Sequence, residues 1–406
     1  MQSIRTGSKR LIREINQAIV LDTVRASGSV SRTDIAKRTG LGMPTVSGIT
    51  AQMISAGLLL EHDTVSPPDR AAAAVGRRPV QLSLNASAGY AVGVKITERR
   101  LIAVLTDLDA TVVARHDATI RGSDVGTVVE ALAACVERLT PSAADRPVYG
   151  AGVGLAGVVD RAAGIVRHAT YAEWRSVPLA ELLEQRLGLP VVIDNDVNAL
   201  VAAEQWFGAG RGQPDFLAVS LGRGIGLGLV LDGRLYRGGA GGAGELGHVK
   251  VVENGPPCPC GGDGCLEALV SEPAIAADVS AVKRARLSIR QVLALAAAGD
   301  EAVLDVYRTA GHRLGTAIGN LLNVLNPRLV VLAGEGTRGC PYLLRAMHDG
   351  MEAATFDGLL DGVEVVVEPW DDEAWARGAA SLLLGELFQP ALRPGEDARP
   401  SLTARL

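Results

Sequence analysis

Four side chains of the types that bind metal ions lie within eighteen residues of the chain. One histidine and three cysteines, with nine, one and four residues between consecutive members, are His248, Cys258, Cys260 and Cys265. One nitrogen and three thiolates make a complete tetrahedral set for Zn²⁺, with no position left open for a substrate. We therefore expect a structural zinc site rather than a hydrolytic one. The alternative is a group of reactive or merely buried thiols.

A dense polar group follows the apolar run 191–193. It consists of Asp194, Asn195, Asp196 and Asn198. Carboxylates and amides at the end of a strand are well placed to hydrogen-bond a polyol, or to accept a proton from its hydroxyl. The alternative is capping of a helix expected at 199–206, by Asp196 or Asn198, which would explain one side chain but not the whole group.

A glycine-rich segment, Gly-Arg-Gly-Ile-Gly-Leu-Gly, occupies residues 222–228 after a predicted strand. Such a loop can hold a phosphate through its backbone amides. A strand-like run follows it rather than a helix, so no helix N-terminus would face an anion. A glycine-rich hairpin is an equally good interpretation.

The elements that must position these groups form two similar sets. Apolar strands are expected at 90–96, 101–107 and 112–114, and a comparable series recurs at 216–221, 225–231 and 235–237. Each series is followed by helical segments, which indicates a duplicated α/β lobe with a ligand bound between the copies.

The N-terminal segment has the pattern of a winged helix-turn-helix. A first helix from Ser8 is followed by a short helix capped by Ser31, a turn at Gly40 and Gly42, and a helix with Pro44 in its first turn. Strands at 58–61 and 80–84 would form a wing. The candidate DNA-binding residues, exposed on the last helix or basic in the wing, are Pro44, Thr45, Ser47, Thr50, Gln52, Arg77 and Arg78. The alternative is an ordinary three-helix packing module.

Charge is divided unevenly along the 406 residues. Residues 1–84 hold 11 Lys and Arg against 6 Asp and Glu, and the remainder holds 29 against 39. A net charge of -5 therefore conceals a head of +5, suited to a polyanion, and a body of -10. Aromatic residues at 3% disfavour proteins that stack single-stranded bases. The absence of an uncharged run of 18 apolar residues and of a cysteine framework indicates a cytoplasmic protein without a membrane span.

These motifs together resemble the ROK family of repressors and sugar kinases, over about Ser8 to Leu387. The resemblance is carried by the winged helix-turn-helix, the Asn195-Asp196 pair, and Gly-Glu-Leu-Gly-His at 244–248 followed by the cysteines and Glu267. Within the family, the chain resembles the sugar-responsive repressors of the xylose and N-acetylglucosamine type. The implied fold is a winged helix-turn-helix followed by an α/β two-lobed, sugar-kinase-like body of the actin-type ATPase class.

The resemblance also implies residue roles. Sugar hydroxyls would be held by Asn195, Asp196, Glu245, His248 and Glu267, and Asp196 would stand where the kinases have their general base. His248 would then serve both zinc and sugar.

Departures from the kinase pattern concern the phosphate loops. The kinases carry Asp followed by a Gly-Gly-Thr turn, whereas Lys95 replaces the Asp here and Glu98 adds a negative charge. Arg223 stands where the kinases have Thr.

We therefore expect a non-enzymatic, sugar-responsive regulator. It would repress carbohydrate metabolism genes and bind a double-stranded operator as a homodimer or dimer of dimers. A bifunctional hexose kinase and a regulator controlled by a protein partner are the alternatives.

The expected division of the chain is as follows. A winged helix-turn-helix at 1–66 and a wing and linker at 67–88 precede a first lobe at 89–198. A second lobe at 199–372 contains the zinc loop 245–267. A helix at 373–388 is expected to pack on the first lobe, and 389–406 is expected to be a disordered tail.

Overall fold

A computed structural model describes residues 9–62, 80–169 and 172–388. The chain divides into two compact units. The first comprises the described residues of Met1–Leu155, Ala162–Asp194 and Ala376–Leu406, and the second comprises Ala156–Arg161 and Asn195–Trp375. Within the described ranges, no helix is both long and apolar enough to span a membrane.

The N-terminal part of the first unit contains three helices and three short strands. They are α1 (Lys9–Ser27), β1 (Val30–Ser31), α2 (Arg32–Thr39), α3 (Met43–Ser55), β2 (Leu59–His62) and β3 (Gln81–Leu84). The strands form an antiparallel sheet in the order β1-β3-β2. Ser31 caps α2 by accepting a hydrogen bond from the Asp34 N–H at 3.2 Å, and Gly40 ends α2 with φ 70°. The core of this part is formed by Leu21, Val24, Ile35, Val46, Met53, Leu59 and Leu82.

The rest of the first unit is built on a five-stranded sheet in the order β11-β7-β4-β5-β6. The elements in this part of the chain are β4 (Tyr90–Ile96), β5 (Arg100–Asp107), β6 (Val112–Thr119), α4 (Val125–Leu139), β7 (Val148–Leu155), β8 (Val158–Asp160), β9 (Ile165–Ala169), β10 (Trp174–Val177), α5 (Leu179–Leu187) and β11 (Val191–Asn195). β8 belongs to the second unit. The strand predicted at 112–114 is longer in the structure because alternate β6 side chains stay partly buried as far as residue 118.

The second unit contains a matching five-stranded sheet in the order β14-β13-β12-β15-β16. Its elements are α6 (Asp196–Phe207), β12 (Phe216–Leu221), β13 (Ile225–Leu231), β14 (Arg234–Tyr236), α7 (Glu267–Val270), α8 (Glu272–Lys283), α9 (Ile289–Ala297), α10 (Glu301–Leu325), β15 (Leu329–Ala333), α11 (Cys340–Ala354) and β16 (Glu364–Glu368). Sheet and helices enclose a core that includes Leu217, Val219, Leu314, Ile318, Val330 and Met347.

The two sheets have the same topology, which confirms the predicted duplication. Each begins with an antiparallel three-stranded meander, and two later strands join on the other side of the first strand. The first of the added strands is parallel to its neighbour in both sheets.

The last helix, α12 (Asp372–Phe388), packs on the sheet of the first unit. Glycines make the close approach possible, since a Cβ on Gly93 would lie 2.0 Å from the Ala376 carbonyl oxygen and one on Gly152 would lie 1.8 Å from that of Ala379. The tail expected at 389–406 and most of the wing and linker expected at 67–88 lie outside the described residues.

The boundary between the units falls at Asp194/Asn195, four residues before the predicted position. The helix predicted to begin at residue 199 begins at Asp196, because Asn195 rather than Asp196 or Asn198 is its N-cap. The Val197 and Val201 side chains of α6 lie over Gly226 and Gly228 of β13, so this helix belongs to the second unit.

Candidate functional site

The predicted metal ligands come together in one loop of the second unit. His248 is the last residue of a short 3₁₀ turn, Leu246–His248. Cys265 lies two residues before the start of α7. Between them the chain doubles back, with the Cys258 N–H donating to the Gly262 carbonyl at 2.7 Å. Gly261 makes this possible because its φ of 90° is one that side chains rarely adopt.

The geometry of this group fits a tetrahedral ion. The four ligand atoms all lie within 4.8 Å of one another. The Cys258 Sγ is 3.6 Å from the His248 Nδ1, and the Cys260 Sγ is 3.7 Å from the Cys265 Sγ. A tetrahedron with metal–sulfur bonds of about 2.3 Å has edges of about 3.8 Å, whereas a disulfide would need about 2.05 Å. All five cysteines are unbridged, and the cluster can hold a metal ion.

The other ring nitrogen of His248 faces the Glu245 carboxylate. Its Nε2 is 3.9 Å from Glu245 Oε2, and 34% of the His248 side chain and 50% of the Glu245 side chain are exposed. Partial burial raises the pKa of Glu245 and the nearby His248 lowers it, while Glu267 and Asp196 raise it further. Asp196, Glu245, His248 and Glu267 therefore form one electrostatically connected cluster, which we call the carboxylate cluster.

Backbone packing positions the members of this cluster. Glu245 follows Gly244, whose φ is +92° and whose Cα lies against β13, where the Leu227 N–H donates to the Gly244 carbonyl at 3.0 Å. Glu267 begins α7, and its Oε2 accepts a hydrogen bond from the Ile225 N–H at 3.0 Å. Asp196 lies in the first turn of α6. Carboxylate oxygens of these residues can accept hydrogen bonds from hydroxyl groups.

Asn195 has a different environment from the other predicted sugar ligands. Its Oδ1 accepts the Val197 N–H and its Nδ2 donates to the Gly157 carbonyl, both at 2.8 Å. Asn195 is therefore the N-cap of α6, and Asp196 Oδ1 also accepts the Val197 N–H, at 3.0 Å. Gly157 was missed because a carbonyl 38 residues away leaves no signal in the local sequence.

The glycine segment at 222–228 is a hairpin. β12 and β13 pair antiparallel with Leu221 opposite Ile225, so three residues make the turn. The glycine-rich hairpin is therefore present, and its turn has backbone amides of the kind that can bind anions.

The exposed face of α3 differs from the prediction at two positions. Thr50 is wholly buried, since its Oγ1 donates to the Val46 carbonyl at 2.9 Å and accepts from Arg32 Nε at 3.1 Å. Gln52 is half-buried, and its Oε1 accepts from Arg13 at 2.8 Å and from Gln17 at 3.0 Å. The expectation that Thr50 is exposed is therefore wrong, and Gln52 is exposed only in part, because helical periodicity alone does not locate α1 and α2.

Three of the other predicted DNA-binding residues are exposed on α3. Pro44, Thr45 and Ser47 are exposed in the first two turns of α3. Arg77 and Arg78 lie outside the described residues.

Comparisons with known proteins agree with this architecture. A model of the ROK family matches residues 91–386. The chain is 28% identical to the xylose repressor of Bacillus subtilis strain 168 over 380 residues, which cover 93% of this chain and 97% of that protein.

Two solved structures of ROK family proteins match this chain over different shares of its length. A ROK family transcriptional regulator, described as a homologue of the Escherichia coli MLC protein, covers 92% of this chain and 96% of its own, with a TM-score of 0.80 and 27% identity. A ROK family glucokinase from Streptomyces griseus, in complex with glucose and AMPPNP, covers 72% of this chain and 99% of its own, with a TM-score of 0.62 and 27% identity. Since the family match spans most of the chain, the protein belongs to the ROK family, with an N-terminal helical region followed by the two-lobed α/β body of sugar kinases.

Proposed function

We propose that the protein is a sugar-responsive transcriptional regulator, a repressor of carbohydrate metabolism genes. This proposal rests on one observation: the same chain contains a basic three-helix head and a body with the carboxylate cluster. The similarity to the xylose repressor over 93% of the chain supports it, because an alignment of that coverage must extend into the head.

The head is proposed to bind duplex DNA as a winged helix-turn-helix. α3 would enter the major groove with the exposed residues Pro44, Thr45 and Ser47 toward the bases. Thr50 and Gln52 would act indirectly, because both are engaged within the head. Arg77 and Arg78 would bind phosphates or enter the minor groove. A homodimer, or a dimer of dimers, would present heads to two half-sites.

The metal is proposed to be Zn²⁺ in a structural role, held by His248, Cys258, Cys260 and Cys265. The separations between sulfur and nitrogen atoms support this, as does the softness of a three-thiolate set. Bound zinc would cross-link the loop and fix the ring of His248. The unbridged cysteines fit a reducing cytoplasm.

The effector is proposed to be a small sugar bound at the carboxylate cluster. Asp196, Glu245 and Glu267 would accept hydrogen bonds from its hydroxyls, and His248 would present Nε2. Asn195 would contribute mainly by setting the start of α6, since both ends of its amide are engaged. A sugar that lacked a matching hydroxyl would leave an acceptor unpaired, at about 1–3 kcal/mol.

Electrophoretic mobility shifts on the protein's own upstream region, with and without a panel of sugars, test this function. We expect a shifted band at low salt that one sugar abolishes. Absence of a shift at low salt on any candidate operator would contradict the proposal.

A sugar kinase that also binds DNA is the second candidate. Its support is the similarity to the glucokinase over 72% of this chain and the presence of Asp196. A coupled ADP-release assay across hexoses distinguishes the two functions. We expect no turnover, whereas turnover that is lost in Asp196→Asn would favour the kinase.

A further inference from the structure

The turn between β12 and β13 donates two backbone N–H groups to carboxylates of the same chain. The Arg223 N–H donates to Glu335 Oε1 at 3.3 Å, and the Ile225 N–H donates to Glu267 Oε2 at 3.0 Å. Successive amides in a turn form a concavity that attracts anions. Here the chain itself supplies the anions.

Close backbone packing holds the Glu335 carboxylate in this place. Glu335 opens a 3₁₀ turn, Glu335–Gly339, directly after β15 and Gly334. A Cβ on Gly222 would lie 2.5 Å from the Glu335 Cδ, so only glycine leaves room for the carboxylate. Gly336 in turn lies against the backbone at Leu221 and Gly222, where a Cβ would be 2.8 Å from the Leu221 carbonyl carbon.

A further carboxylate makes the surroundings of this turn acidic. The Glu272 N–H donates to the Gly222 carbonyl at 2.9 Å. Burial raises the pKa of Glu272, Arg338 lowers it, and Glu335 raises it further, which indicates that the two carboxylates interact. Arg338 approaches Glu272 at 3.6 Å with 63% of its own side chain exposed. Arg223 is exposed in the turn itself, so the three carboxylates of Glu267, Glu272 and Glu335 outnumber the two arginines of this region.

We propose that Glu335 is a built-in anion of the β12–β13 turn, whose carboxylate occupies the amide site that a phosphate group would take. The turn is therefore closed to nucleotides and polyphosphates. This inference goes beyond the regulatory function, since it identifies a residue that separates sugar binding from phosphoryl transfer in this body. A phosphate entering the turn would have to displace Glu335 and would still face two further carboxylates.

Isothermal titration of the full chain with sodium tripolyphosphate, and separately with Mg²⁺ and AMPPNP, tests this inference. The variants are Glu335→Ala, which empties the turn, and Glu335→Gln, which keeps the side chain's size but removes its charge. The control is Glu352→Gln, which removes an exposed carboxylate of α11 in the same unit. Binding of tripolyphosphate to the basic head contributes equally to all four proteins.

We expect both Glu335 variants to bind tripolyphosphate at least about tenfold more tightly than the wild type, because a like charge in contact is removed. The Glu352→Gln protein should behave as the wild type. If Glu335→Ala fails to fold, Glu335→Gln decides the question. Equal affinity in the wild type and the folded Glu335 variants, or an equal gain in the control, would overturn the proposal. Operator binding in the same proteins is a separate readout, which distinguishes this failure from failure of the regulatory function.

Discussion

The Nδ1 atom of His248 lies 3.6 Å from the Sγ atom of Cys258. The opposite nitrogen of the same ring, Nε2, faces Glu245 Oε2 at 3.9 Å. One imidazole therefore belongs to both the metal-ligand set and the carboxylate cluster. A metal bound on Nδ1 would fix the ring plane, and with it the direction of the nitrogen that faces a ligand.

Replacing one metal ligand should release the ion. We expect Cys260→Ser to lose most of its bound zinc and to unfold at a lower temperature, because the binding free energy of a structural site contributes to folding. Cys260 is the exposed cysteine of the set, so the replacement changes little buried packing. Metal content per chain, measured by mass spectrometry, checks this, with Cys135→Ala outside the cluster as the control. Unchanged zinc content in Cys260→Ser would contradict the assignment.

Removing one carboxylate of the carboxylate cluster should weaken sugar binding without affecting zinc binding. Glu245→Gln is expected to weaken binding of the effector sugar about 5- to 150-fold, which corresponds to about 1–3 kcal/mol for an unpaired group. Its zinc content should stay at the wild-type level, because Glu245 is not a ligand in the tetrahedral set. Calorimetry with the effector sugar and metal analysis on the same sample measure both. Full sugar affinity in this variant would exclude Glu245 from the sugar site.

In the head, exposed and buried residues of α3 should behave differently. The double replacement Thr45→Ala and Ser47→Ala is expected to weaken operator binding about tenfold or more without a change in thermal stability. Thr50→Val should instead destabilise the head by about 1 kcal/mol, since it removes the hydrogen bonds to Val46 and Arg32. Its operator sequence preference should be unchanged. Altered base preference in Thr50→Val, measured on a library of operator variants, would show that this residue reads DNA.

A buried carboxylate should make stability depend on pH. Glu204 is 1% exposed, and burial together with the nearby Glu368 raises its pKa from 4.5 to about 7. The folded chain then keeps a proton between pH 4.5 and 7 that the unfolded chain releases. Stability should therefore fall as the pH rises through this window, by about 3 kcal/mol, and level off above it.

Urea unfolding at pH 5 and pH 8, for the wild type and Glu204→Gln, isolates this contribution. The Trp370 indole donates a hydrogen bond to Glu204 Oε1 at 3.1 Å, so tryptophan fluorescence reports on the surroundings of Glu204. The wild type should lose more stability between the two pH values than the variant. Identical losses would show that Glu204 titrates normally.

The sequence was most informative where function depends on local spacing. The clustering of His248, Cys258, Cys260 and Cys265 was predicted because all four come from one loop of eighteen residues. Strand positions such as 90–96 and 216–221 were predicted because continuous apolar runs are typical of buried strands. Capping of α2 by Ser31 was predicted for the same local reason.

Features that depend on distant partners could not be predicted in this way. Threonine is a residue type that often contacts DNA. Only the hydrogen bond from Arg32 of α2 shows that the Thr50 side chain faces inward. The Asn195 amide was predicted as a sugar ligand, yet the Gly157 carbonyl accepts one of its N–H groups. Glu335 is 112 residues from the turn whose amide it binds, and glycine-rich spacing alone suggested a phosphate there.

In the proposed function, sugar binding at the carboxylate cluster lowers the affinity of the head for its operator. Fluorescence anisotropy with a labelled operator, at fixed salt and with or without saturating effector sugar, tests it most directly. We predict about 100-fold weaker operator binding with the sugar, a coupling of about 2.7 kcal/mol, and the same factor when sugar affinity is measured with and without operator. The effect of the sugar on operator binding should be smaller in Glu245→Gln at the lowest sugar concentration that saturates the wild type. Equal operator affinity with and without a sugar that demonstrably binds would contradict the account.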